Sequence, residues 1–410
     1  MEKIKKGLTG RVLTVLLIIL IVLCVGCSEV KEGPKKTYYK SGKLRSEFAF
    51  KNGKKEGLGK AYYESGALKI EGTFKNGEFE GLKKTYYESG KLKTESTYKN
   101  GKLEGPFKTS YESGKLESEF SGKNGQIEGP AKDYYESGAL KKEVTYKNGK
   151  QEGPYKEYRE NGALLEEYTY KNGKREGLKK IYYKSGALES EVTYKNGEEE
   201  GLRNLYHKNG RLRSKDTYKN GKREGPSKDY YKSGKLRHES TYKSGLPKGL
   251  SKSYYESGAL KSESTYKNCK AEGPCKGYSK GYYESGALKE EYPFKNGEKE
   301  GHSKTYYESG ELKSETNYKN GKEEGLFKLY YKSGKLQHEA TLKIDGFPHG
   351  LSKTYYESGV LKEEVNRKYG RPEGPYTLYY ESGKLKKTGT FEEGKLINVK
   401  EYNEKGKLIK

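Results

Sequence analysis

The chain has no tryptophan, one methionine and only four cysteines in 410 residues. Hydrophobic residues make up 30%, too few for the compact core that a chain of this length would otherwise bury. Past residue 27 no window carries a sustained helical stripe, which argues against every helical class. Catalytic motifs are absent as well: there is no P-loop, no nucleophile elbow and no zincin pattern. The five histidines, His207, His238, His302, His338 and His349, show no metal-ligand spacing. These absences point to a non-enzymatic protein with no metal and no cofactor.

What is present is tyrosine, glycine and charge. Low hydrophobicity with 34% charged residues would ordinarily suggest disorder. Against that stand 42 tyrosines in register with one another. The stretch YYESGKLKTESTYKNGKLEG, residues 86–105, recurs at a step of 24 residues from Tyr38 onward, in fifteen copies and a truncated sixteenth at Tyr402–Leu408. Two copies are longer, by four residues before Tyr282 and by one before Tyr355. An even insertion preserves the face that each strand residue occupies, and the single one falls in a turn.

Each copy is punctuated twice, at Ser89-Gly90 and at Asn100-Gly101, and Asn-Gly between alternating segments is a hairpin signal. Leu92, Thr94, Ser96 and Tyr98 fall on one face at period 2, with Lys93, Glu95, Thr97 and Lys99 on the other. A loop centred on Ser89-Gly90 predicts that Tyr87 faces Leu92 and Lys84 faces Glu95. Two exceptions among the copies support the second pair. Where the lysine becomes Asn204 the glutamate becomes Lys215, and where it becomes Thr377 the partner is Thr388. The same register sets Gly81 beside Tyr98, which would cover the bare glycine. The expected fold is all-β: an elongated single-sheet solenoid of antiparallel hairpins, with stability summed over repeats.

At this point the pattern YYxSGxLxxExxYKNGxxEG resembles the MORN-type repeat, in the variant form of bacterial proteins labelled YwqK-family antitoxins. The resemblance covers Gly33 to Leu408 and implies stacked hairpins with an aromatic-lined groove, acting in binding or scaffolding. An antitoxin or immunity protein is an alternative that the resemblance carries. A further alternative is a protein that binds an anionic glycan or the cell wall.

The amino terminus is of another kind. Lys3, Lys5, Lys6 and Arg11 precede the apolar run Val12–Val25, about 14 residues against the ~20 that span a bilayer as a helix. Gly26-Cys27 comes next, and the segment resembles a bacterial lipoprotein signal with its leucine one place early, at Leu23. The expected organisation is a signal peptide over 1–26, a short anchor linker over 27–32 and the repeat array over 33–410. The resemblance implies a lipid on Cys27, export, and anchoring at the outer membrane or cell surface.

A formal charge of +25 favours anionic neighbours, and equally keeps a long exposed sheet soluble. The expected partners are therefore the membrane through the lipid and an unknown protein or anionic envelope polymer, with no specific nucleic acid. Tyrosine rows beside lysines are the candidate contacts. The second tyrosine of each pair, such as Tyr87, reads as packing material. The first reads as the candidate ligand contact, at Tyr62, Tyr86, Tyr134, Tyr182, Tyr230, Tyr254, Tyr306 and Tyr330. Glu56, Glu80 and Glu104 read as solvated turn residues. Cys269 and Cys275, six apart in one irregular copy, are a candidate disulfide or two drifted positions.

Overall fold

The computed structural model describes residues 32–267, 269, 275–343 and 346–410. The signal peptide and Cys27 lie outside the described residues. The chain resolves into two units, the first ending at Arg175 and the second running Glu176–Lys410. The described residues form antiparallel strands and tight turns without a helix, as the repeat pattern requires. The first unit opens with Gly33–Tyr38 (β1), Leu44–Lys51 (β2), Lys54–Tyr62 (β3), Leu68–Lys75 (β4), Glu78–Tyr86 (β5), Leu92–Lys99 (β6) and Lys102–Ser110 (β7). Each strand pairs with its neighbours in sequence. The second unit repeats the meander up to Lys395–Glu401.

In the hairpin β5–β6, Lys84 faces Glu95 as the compensating exceptions demand, and Asn204 faces Lys215 and Thr377 faces Thr388 in the second unit. The expected pairing of Tyr87 with Leu92 is wrong: Tyr86 faces Leu92. The loop is odd. Tyr87 N–H donates to the Lys91 carbonyl at 2.8 Å and Gly90 N–H to the Tyr87 carbonyl at 2.9 Å, with Gly90 at φ +84°. That is a three-residue hairpin loop ending in a glycine bulge. A second offset, between Thr85 and Tyr86, leaves Lys93 as an extra residue opposite them and restores the register by Lys84. The Lys93 ammonium lies 5.2 Å from the Tyr87 ring centre, so the bulge residue is held over an aromatic face.

At the other end Asn100 and Gly101 both have positive φ, the two-residue turn that matches strand twist. Glu80 closes it, its Oε2 accepting the Asn100 N–H at 2.7 Å. Glu56 does the same for Asn76 and Glu104 for Asn124. These glutamates are therefore caps of the neighbouring turn, a correction to the solvated-turn reading. The sequence hides the contact because donor and acceptor stand twenty residues apart. Gly81 does face Tyr98, but for another reason than cover: its φ is +86° and no atom lies within 4 Å of an added Cβ. Glycine is there for the backbone.

Within each unit the interior is a column of side chains at mid-strand, where the copies differ most. In the first unit Val144, Tyr155 and Tyr168 form a buried cluster, with Tyr155 and Tyr168 stacked at 4.5 Å. Size is balanced along the column: Gly59 lies against the Phe48 ring, and Gly72 against Phe79. In the second unit the same places hold Val192, Ala340 and Val365 and a series of buried serines, Ser227, Ser240, Ser251 and Ser303. Asp216 takes the valine's place in one copy. Its carboxylate is buried, accepts a hydrogen bond from Ser227 Oγ at 2.6 Å and lies 3.6 Å from Arg223 Nε.

Candidate binding surface

The face opposite that column carries three rows, set by period-2 alternation along β5 and β6: tyrosine, then lysine with glutamate, then an apolar residue. The first-tyrosine row is not free. Tyr86 Oη donates to Glu71 Oε1 at 2.5 Å, and Tyr62 makes the same bond to Glu47 at 2.6 Å. Tyr134 bonds Glu119, Tyr254 bonds Glu239, Tyr306 bonds Glu291 and Tyr330 bonds Glu315, all within 2.6–2.7 Å. The donor sits fifteen residues after its acceptor, except where the sequence is lengthened. Tyr282 reaches Glu263 across nineteen and Tyr355 reaches Glu339 across sixteen. The insertions of four and one are thus absorbed without losing the bond. Tyr182 occupies the equivalent place, paired with Leu188. At Tyr230 the bond is missing, because Lys215 stands in the glutamate's position.

Burial and the neighbouring carboxylate push these phenols up. Desolvation and Glu71 raise Tyr86 to about 12, and the hydrogen bond from Tyr62 to Glu47 raises Tyr62 to about 12. Glu291 moves the other way, held below the usual carboxylate range by the Tyr306 hydroxyl.

The second tyrosines bind the copies in the other direction. Tyr87 Oη donates to the Ser110 carbonyl at 2.8 Å, Tyr63 to that of Tyr86 at 2.9 Å, and Tyr231 to that of Tyr254 at 2.7 Å. In one copy His207 replaces the tyrosine and its Nε2 meets the Tyr230 carbonyl at 3.1 Å. A copy with both tyrosines, such as that of Tyr86 and Tyr87, is therefore bonded backward by one phenol and forward by the other. Apart from exceptions such as Tyr230, the hydroxyls named in both rows are engaged by the protein itself.

Lysines and glutamates alternate along the middle row, since Glu95 faces Lys84 on one side and Lys108 on the other. The Lys84–Glu95 pair is 3.5 Å apart and the Lys353–Glu364 pair 3.3 Å. Beside this row lies the feature that the tyrosines obscure. The residue after Gly81 and its equivalents is leucine or proline in nearly every copy, and among the described residues it is exposed. Leu58, Leu82, Leu178, Leu202, Leu250, Leu326 and Leu351 keep 45–57% of their surface accessible. Pro106, Pro130, Pro154, Pro226 and Pro375 fill the same place in other copies.

The fifteen-fold recurrence of this hairpin matches a family description. The MORN repeat variant aligns with residues 31–52, 55–76, 79–100, 103–124, 127–148, 151–172, 175–196, 199–220, 223–244, 247–268, 276–296, 299–320, 323–343, 348–369 and 372–393. The chain belongs to the MORN repeat variant family. No curated protein matches it. Among solved structures, the crystal structure of TcdB2-TccC3-TEV matches at 13% identity and a TM-score of 0.15, over 92% of this chain and 23% of that one. A Tc holotoxin pore of Photorhabdus luminescens matches at 12% and 0.15, over 92% and 26%. The chain spans about a quarter of the length of those chains, and scores this low carry no structural argument.

The cysteines are placed as well. Cys269 and Cys275 are joined as a disulfide with their Cα atoms 4.1 Å apart. Among the described residues no three His, Cys, Asp or Glu side chains gather as metal ligands. His238 Nδ1 instead lies 2.9 Å from Ser253 Oγ and His338 Nδ1 lies 3.1 Å from Thr354, and burial pushes both rings below the usual imidazole range.

Proposed function

We propose that this member of the MORN repeat variant family is a non-enzymatic binding and scaffolding module at the bacterial envelope, held there by a lipid on Cys27. The observation that carries the reading is the exposed leucine and proline row. A repeat array offers the same groups at every step and so suits multivalent contact rather than catalysis, which needs different groups to converge. Singly exposed leucines need no explanation, but a leucine at one fixed position in copy after copy does.

The partner that fits the row is a protein. An apolar strip flanked by charges of both signs matches an interface core with a polar rim, whereas a polyanion would be repelled by each glutamate. Tandem presentation gives avidity to contacts that are weak one at a time. Capture from a host envelope extract by the full-length chain tests this. The expected result is a protein retained at high salt and released by detergent. Release by salt alone would contradict an apolar contact. Recovery of a toxin in that fraction would make the chain an antitoxin. Palmitate labelling of wild type and Cys27→Ser tests the anchor: label is expected on the first alone, and equal label on both would remove it.

A further inference from the structure

Three consecutive turns in the second unit lose their acid. Where Glu64, Glu88, Glu112 and Glu136 stand after the tyrosine pair in the first unit, Lys184, Lys208 and Lys232 stand here. Two of the three are basic on the outgoing side too, with Arg211 and Arg213 in one and Lys235 and Arg237 in the next. All of these basic side chains are exposed, and the turns that carry them are joined to one another. Tyr183 Oη donates to the Tyr206 carbonyl at 2.7 Å, Asn209 Nδ2 to the Lys232 carbonyl at 3.0 Å, and the Arg211 guanidinium to the Ser233 carbonyl. These bonds hold the turns side by side, so the cations share one edge of the sheet. Asp229, 3.5 Å from Arg237, is an acid within the patch.

The patch continues into a cleft of 520 Å³ whose lining includes Asp229 together with Arg237, His238, Ser253, Tyr254 and Lys261. Its origin is local. In β5–β6 the hydroxyls of Thr85 and Thr94 meet at 2.6 Å, whereas the equivalents here are the smaller Ser253 and Ser262, and Ser253 turns to His238 instead.

We propose that this edge and its cleft bind a linear polymer of phosphate groups. Arginine forks engage phosphate oxygens in paired hydrogen bonds, and the lysines beside them add point charges toward the same groups. Successive turns stand two strands apart, roughly 10 Å, so a chain with repeated charges engages several at once where a single anion engages one. The proposal is independent of the leucine row, which lies on the sheet face and not on its turn edge.

The test uses inorganic polyphosphate as the probe, with polyglutamate as the carboxylate control, titrated against the full-length chain at low salt. The variant Lys208→Glu/Lys232→Glu installs the glutamate that other copies already carry, so the hairpin tolerates it. The double variant Lys40→Glu/Lys332→Glu makes the same change of charge in turns outside the patch. Polyphosphate is expected to bind about tenfold more tightly than polyglutamate, and the patch variant to lose about tenfold in affinity while the control loses less than about threefold. Absent polyphosphate binding, equal binding of both polymers, or equal loss in both variants would overturn the proposal. Envelope capture through the leucine row is expected to survive the patch swaps, so the two readings fail separately.

Discussion

At the scale of the residue, the two tyrosines of each copy have roles that their spacing alone conceals. Tyr86 serves as a donor to Glu71, and the copy at Tyr230 supplies its own control because Lys215 replaces the acceptor. Tyr86→Phe is expected to cost about 1 kcal/mol, the net worth of one such hydrogen bond, and Tyr230→Phe less than about 0.5 kcal/mol. Urea unfolding midpoints measure both, and equal shifts would refute the assigned bonding. Gly81 allows a second test of cause. An added Cβ meets open space but φ is +86°, so Gly81→Ala is expected to cost about 1–2 kcal/mol from backbone strain alone. A neutral substitution, read by the same unfolding curves, would show that the turn relaxes freely.

At the scale of the element, much of the hairpin was legible in the sequence. Period-2 alternation, Asn-Gly turns and the exchanged pairs Asn204 with Lys215 and Thr377 with Thr388 define strands, turns and the Lys-Glu register. The true partner of Leu92 was not legible, because two one-residue offsets cancel: the glycine bulge at Gly90 and the extra Lys93. A pattern tested only at Lys84 and Glu95 cannot see irregularities that cancel before it reaches them. The glutamate caps and phenol bonds escaped for a different reason, since each joins one copy to the next. The leucine row could have been read, as every second residue from Leu82 through Lys84 to Tyr86 shares a face, but the tyrosines were the louder signal. The hairpin also predicts how chain length can change. Excision of residues 86–109, one whole period, is expected to leave a folded chain whose urea m-value falls by about one repeat's share. Excision of one residue fewer leaves an extra residue inside β5, away from any turn that could absorb it, so that deletion is expected to show less strand signal by circular dichroism than the whole-period one.

At the scale of the whole molecule, stability is spread over many modest bonds and a thin interior. One consequence is a shared alkaline limit. The folded phenols of Tyr62, Tyr86, Tyr134 and Tyr158 are raised to about 12 against an ordinary value near 10. The unfolded chain therefore releases those protons first as pH climbs. The phenol bonds contribute fully below about pH 10 and are lost as pH rises through about 12. Unfolding by circular dichroism should coincide with tyrosinate absorbance in that window. Ionisation of all the tyrosines near pH 10 with the fold intact would contradict the bonding scheme.

The central claim is that the tyrosines hold the array together while the leucine row makes the contact. Envelope capture with two variants of the full-length chain tests it most directly. One carries Leu→Thr at 82, 202, 250 and 326; the other carries Tyr→Phe at 86, 134, 254 and 306. The account predicts that the first folds and captures nothing, whereas the second melts at a lower temperature and still captures its partner. Capture retained by the leucine variant and lost by a folded tyrosine variant would contradict it.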